Sequence, residues 1–154
     1  MENLEKILSE HPFFDGIGKT YLDILTGCAR NVHFEAGAYL GREGEDATSF
    51  FLIRKGKVAL EIRTPQRPPL VILTLEDGDI LGFSWLVPPH LWRFDMRAVG
   101  SVRALALDGR CLRGKCEENH DLGYELLKRF AYVVDNRLQA TRLQLLDVYA
   151  AARA

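Results

Sequence analysis

Between Gly82 and Ala98 the chain reads GFSWLVPPHLWRFDMRA, with two tryptophans, two adjacent prolines and two arginines in seventeen positions. A guanidinium offers several N–H donors in one plane and suits a phosphate or carboxylate. Arg93 and Arg97 are therefore candidate anion anchors, and Trp85 and Trp92 candidate walls of a pocket. The same rings read equally well as filling for the space a ligand would occupy. Large apolar groups at this density are rarely left in water.

Other chemistry finds no carrier. GIGKT at 16–20 has the look of a phosphate loop, but the position five residues before Gly18 is Phe13, and a helical stretch precedes it rather than a strand. Lys19 and Thr20 are expected to start a helix instead. His11, His33, His90 and His120 are scattered without metal-ligand spacing. Cys111, Cys116 and His120 lie close together in CLRGKCEENHD, at spacings that suit no common zinc site, so no metal is expected. No Ser–His–Asp set, carboxylate pair or nucleophile elbow is visible, and an enzyme is not expected. Three cysteines, an odd number, make no disulfide framework; they are expected as small buried thiols in a reducing, cytoplasmic setting.

The elements that must position these groups follow from periodicity. At 154 residues the chain fits one domain, able to bury roughly 70% of the surface its unfolded form exposes. A net charge of -1 provides no overall basic field for nucleic acid or anionic lipid. No signal peptide is visible, and no apolar run approaches the roughly 20 residues of a membrane span. Helices are expected over 1–30, where Leu4, Ile7 and Leu8, then Tyr21, Leu22, Leu25 and Ala29, recur at helical spacing. Short strands rich in β-branched and aromatic residues fill 31–108, punctuated by glycines as in a small barrel or jelly roll. Lys55-Gly56-Lys57 reads there as a tight hairpin turn. Helix returns over 109–154, with Asn119 placed as an N-cap. Val134, Leu138, Thr141, Leu145 and Val148 then follow at intervals of 4, 3, 4 and 3, a heptad seam. A helix this long outruns a domain of this size, so its distal half is expected to pair with its own copy.

HPFFDGI before a helix, FEAGAYLGREGEDATSFFLIRKGKVALEI, LEDGDILG and a long last helix together resemble the cyclic nucleotide-binding domain. The likeness is to the sensor half of bacterial regulators of the catabolite activator type, and it spans about His11 to Tyr149. It implies a mainly β fold, a β-roll or jelly-roll barrel flanked by helices, with a phosphate cassette after Gly82 and a long C-terminal dimerisation helix.

Carried over residue by residue, the resemblance implies a ribose-binding glutamate directly after Gly82, where this chain has Phe83. A phenyl ring accepts no such hydrogen bond, and an unpaired sugar hydroxyl in a closed site costs roughly 1–3 kcal/mol. It also implies a phosphate-pairing arginine. Counting forward from Gly82 gives Arg93, whereas counting back from Arg97-Ala98 gives Trp92. One step along a strand flips a side chain to the other face, so the registers lead to opposite pockets. Alternation places Trp92, Phe94, Met96 and Ala98 together, and Arg93, Asp95 and Arg97 opposite them. Thr141 stands where the resemblance implies a contact to the purine amino group across the dimer; a back-bond to its own helix is the other explanation.

The expected ligand-binding residues are thus Gly82, Phe83, Ser84, Trp85, Trp92, Arg93 and Thr141, and the expected dimer interface is Val134, Leu138, Thr141, Leu145 and Val148. The expected function is a stand-alone ligand-sensing regulatory domain with an altered cassette, or else a dimeric interaction module with a closed pocket. No resident cofactor is expected; a cyclic nucleotide or another small anion is the candidate ligand, and a regulatory protein the candidate partner. The chain stops at LLDVYAAARA, where the resembling regulators continue into a DNA reader, so direct DNA binding is not expected.

Overall fold

Asn3 starts the first helix, α1 (Leu4–Glu10), its side-chain oxygen accepting the Lys6 N–H at 3.2 Å. A single 3-10 turn follows at Pro12–Phe14, and Gly18 then begins α2 (Lys19–Thr26). Lys19 and Thr20 therefore open a helix, not a phosphate loop. The helix stops at Gly27, earlier than the spacing of Ala29 suggested, and Ala29 opens the first strand. The computed structural model describes residues 3–153, and the chain divides after Lys115 into two compact units.

His11 fastens the N-terminal helices to the sheet. Its Nδ1 accepts the Phe13 N–H at 3.2 Å, which leaves Nε2 to donate to the Ile53 carbonyl at 3.1 Å. The bond that Nδ1 accepts requires the neutral ring, whereas the one Nε2 donates survives protonation. Burial pushes the imidazole down from its ordinary 6.5, against smaller opposing pulls from the Ile53 carbonyl and the Asp79 carboxylate. A lowered folded value means the unfolded chain binds the extra proton first, so this stability is complete above about pH 6.5 and fades as pH falls through the folded value. Urea unfolding should accordingly show a lower midpoint at pH 5 than at pH 8, and His11→Gln should shrink that difference. An undiminished difference in the variant would assign the pH effect elsewhere.

Among the described residues, eight strands form two antiparallel four-stranded sheets. One holds β1 (Ala29–Phe34), β8 (Val102–Asp108), β3 (Ser49–Lys55) and β6 (Ile80–Leu81) in that order; the other holds β2 (Tyr39–Gly41), β7 (Asp95–Ala98), β4 (Val58–Thr64) and β5 (Arg67–Leu75). This is the mainly β, helix-flanked roll expected from the sequence. Between the sheets lies an apolar cluster that includes Phe51, Ile53, Val58, Leu60, Leu75, Leu81, Met96, Ala98, Val102 and Ala106. Pro68 and Pro69 stand in β5, an edge strand, where a missing N–H blocks further pairing.

The hairpin expected at Lys55-Gly56-Lys57 is not one. β3 and β4 lie in different sheets, so the turn is a corner between them. Gly56 has φ +117°, and its N–H is held by Asp77 Oδ1 at 2.8 Å. A Cβ there would come within 2.6 Å of the Ser101 carbonyl oxygen, so only glycine fits the corner.

The cysteines also need correcting. Cys28 and Cys111 are joined by a disulfide with Cα atoms 5.8 Å apart, and only Cys116 is free. Pairing of β1 with β8 sets Ala29 opposite Leu107, and the Asp108 N–H donates to the Cys28 carbonyl at 2.9 Å. That ladder carries the two sulfurs together from 83 residues apart, which no local spacing announces.

Asp108 begins α3 (Gly109–Glu118), its Oδ1 accepting the Cys111 N–H at 2.8 Å. Asn119 caps α4 (His120–Arg153) as expected, its Oδ1 accepting the Leu122 N–H at 3.1 Å. At 34 residues α4 is roughly 51 Å long. Leu122, Leu126 and Phe130 are buried, but every residue from 131 to 153 is half-buried or exposed. Among the described residues, no helix is long and apolar enough to cross a membrane.

Candidate functional site

The stretch after β6 begins at Gly82, whose φ of +103° lies in the left-handed region that favours glycine. The chain then turns, with the Leu86 N–H on the Phe83 carbonyl at 3.0 Å and the His90 N–H on the Val87 carbonyl at 3.0 Å. Phe83 and Ser84 are half-buried within it. Beyond the turn, 90–92 runs antiparallel to 44–47. Ala47 N–H donates to the His90 carbonyl at 2.8 Å, Trp92 N–H to Glu45 at 2.9 Å, and Gly44 N–H back to the Trp92 carbonyl at 2.9 Å. These backbone bonds fix the register that counting left open.

In that register the Trp92 indole enters the roll and joins the apolar cluster. It stacks on Phe51, centroids 6.4 Å apart and planes 23° apart. Its two edges meet two glycines, Gly41 in β2 and Gly82 directly after β6. A Cβ at Gly41 would lie 2.6 Å from Nε1, and a Cβ at Gly82 would lie 2.7 Å from Cη2. The indole therefore spans the interior from β2 to the start of the cassette turn. Among the described residues the buried polar or charged side chains are His11, Ser49, Glu61 and Asp95, so no guanidinium or ammonium is buried in the roll.

Neither candidate anchor enters. Arg93, the expected anchor of the cassette, is exposed to solvent. Arg97 sits on the outer face of β7, its Nε 2.6 Å from Glu61 Oε1. Asp95, on the same face, pairs with Arg63 at 3.0 Å rather than with Arg93. A phosphate placed inside would meet no cation and would have to shed its water without compensation.

Trp85 goes elsewhere. It is fully buried but stacks on Phe50, centroids 5.9 Å apart, whereas Trp92 stacks on Phe51. Adjacent residues of β3 point to opposite faces, so the two indoles lie on either side of that strand and do not share a pocket. Thr141 Oγ1 donates to the Arg137 carbonyl at 2.9 Å within α4. Among the described residues, no group of three or more His, Cys, Asp or Glu is placed to hold a metal ion.

A model of the cyclic nucleotide-binding domain matches residues 31–119, more than half of the chain. The chain belongs to the cyclic nucleotide-binding domain family. It is 24% identical over 145 residues to a CRP-like cAMP-activated global transcriptional regulator of Mycobacterium tuberculosis; the match covers 94% of this chain but 63% of that protein. Among solved structures, a cyclic nucleotide-binding protein from Geobacter metallireducens superposes with a TM-score of 0.79 at 26% identity, covering 90% of this chain and 99% of that one. A cAMP-binding acyltransferase from Mycobacterium smegmatis superposes at 0.72 with 25% identity, covering 89% of this chain and 41% of that one. Within this family fold, the chain carries an indole, that of Trp92, inside its roll.

Sequence reasoning did not single out Gly41, the second seat of Trp92, although a glycine inside a strand pattern signals close approach of another group. It also missed Arg113 of α3, whose guanidinium donates to the Trp85 carbonyl. Nothing in the spacing of 85 and 113 points to that contact.

Proposed function

We propose that this chain is a regulatory module that works by conformation and self-association, its nucleotide pocket occupied by its own Trp92. The observation that carries this reading is the indole held between Gly41 and Gly82 while Arg93 faces solvent. Ribose and cyclic phosphate would need the volume the ring fills, a hydroxyl acceptor where Phe83 stands, and a buried cation, whereas no Lys or Arg among the described residues is buried. The reading is one of binding and relay rather than catalysis. The relatives support it, since they carry the same kind of domain within larger proteins of different output.

The relay is assigned to α4. Val134, Leu138, Thr141, Leu145 and Val148 are all exposed in the single chain, with Leu138 at 46% and Val148 at 64%. A sustained apolar seam left in water favours association with a second copy. Calorimetry tests the pocket: cyclic AMP and cyclic GMP at millimolar concentration should release no binding heat. A saturable heat abolished by Arg93→Ala would replace this reading with the ligand-sensing one, in which Arg93 turns inward as the anion anchor.

A further inference from the structure

We propose that Cys28 and Cys111 form a reversible thiol–disulfide switch that governs how firmly the 83–90 turn is held. The inference stands independently of whether the pocket takes a nucleotide. Cys28 lies in a fixed corner, its N–H on the Leu25 carbonyl at 3.0 Å and its carbonyl on the Asp108 N–H at 2.9 Å. Cys111 is the third residue of α3, so the disulfide ties the first turn of that helix to the corner. The same turn holds the cassette in two places. A Cβ on Gly109 would come within 2.9 Å of Trp85 Cβ, and Arg113, two residues past Cys111, donates to the Trp85 carbonyl. Trp85 is in turn fully buried against Phe50. With the sulfurs joined, α3 cannot drift without breaking a covalent bond. With them separate, its first turn keeps only hydrogen bonds and packing, and the cassette turn loses its fixed support.

The chemistry balances with a small disulfide as oxidant. The Cys111 thiolate attacks one sulfur of the small disulfide and expels a thiolate; the Cys28 thiolate then attacks Cys111 Sγ and expels a second. Two protein thiols and one small disulfide become one protein disulfide and two small thiols, the protons passing to the released thiolates. Reduction reverses these steps and enters at Cys111, which is half-buried while Cys28 is buried. The third cysteine does not compete, because burial pushes the Cys116 thiol up and keeps it protonated.

The test compares protein treated with oxidised glutathione and protein reduced with excess dithiothreitol. Thiol titration of the denatured samples should find one free thiol and three, respectively. In the folded samples, hydrogen exchange of the 83–90 amides should be at least tenfold faster after reduction, while β8 amides stay protected in both. Cys28→Ser should show the fast cassette in either reagent, and Cys116→Ser should keep the native response. Three free thiols after glutathione treatment, an unchanged cassette after reduction, or β8 exchanging in step with the cassette would each overturn the proposal.

Discussion

Trp92→Ala should lower unfolding stability by roughly 3–5 kcal/mol, as expected when a large aromatic is deleted from a packed core. The ring is 6% exposed, stacks on Phe51 and closes the gap between Gly41 and Gly82. Neither glycine can fill the gap, since neither has a side chain. The sheets are tied by their own ladders and relax only in part, so a void should remain. Urea denaturation reads the loss. Free indole should then raise the melting temperature of Trp92→Ala but not of the native protein, because an apolar void binds a matching apolar guest. A loss below about 1 kcal/mol with no effect of indole would mean that the ring does not fill an enclosed space. The plugged-pocket reading would fall with it.

The second large effect concerns assembly. The native protein should sediment at twice its 17.4 kDa chain mass, and Leu138→Glu should return it to one. Leu138 sits mid-seam, so each copy would bring a carboxylate into the same apolar contact. Taking unpaired charges out of water costs several kcal/mol per ion, and the two would also repel. Helical circular dichroism should fall as well. The part of α4 beyond Phe130 has no buried residue in the single chain, and most helical stability in proteins comes from packing an apolar face. A native protein that sediments as one chain would remove the dimer and with it the relay assigned to α4.

Of the candidate site, the sequence yielded the stretch from Gly82 to Ala98 and the alternation of its second half. Phe83 stands directly after Gly82, where the resemblance implies a glutamate, and that expectation rests on residue type at a motif position alone. Alternation in WRFDMRA placed Trp92, Phe94, Met96 and Ala98 together, and all but the half-buried Phe94 share the interior cluster. Yet the alternative register with Arg93 inward stayed open. The prolines hid where the strand begins, and the ladder partners at 44–47 lie more than forty residues upstream in the chain. Trp85 shows the limit more sharply. It is three residues past Gly82, but a turn rather than a strand carries it, so no periodicity assigns its face.

Sequence alone determined the element types, the cap at Asn119, the apolar seam of α4 and the family. These rest on interactions within a few residues of one another, where side-chain period and backbone donors leave a direct mark. Only the tertiary structure decided that β3 and β4 belong to different sheets, that Cys28 meets Cys111, and that an indole instead of a guanidinium enters the roll. Each depends on which distant strands pair and in what register. A one-residue shift in that pairing reverses every face while leaving the local pattern unchanged.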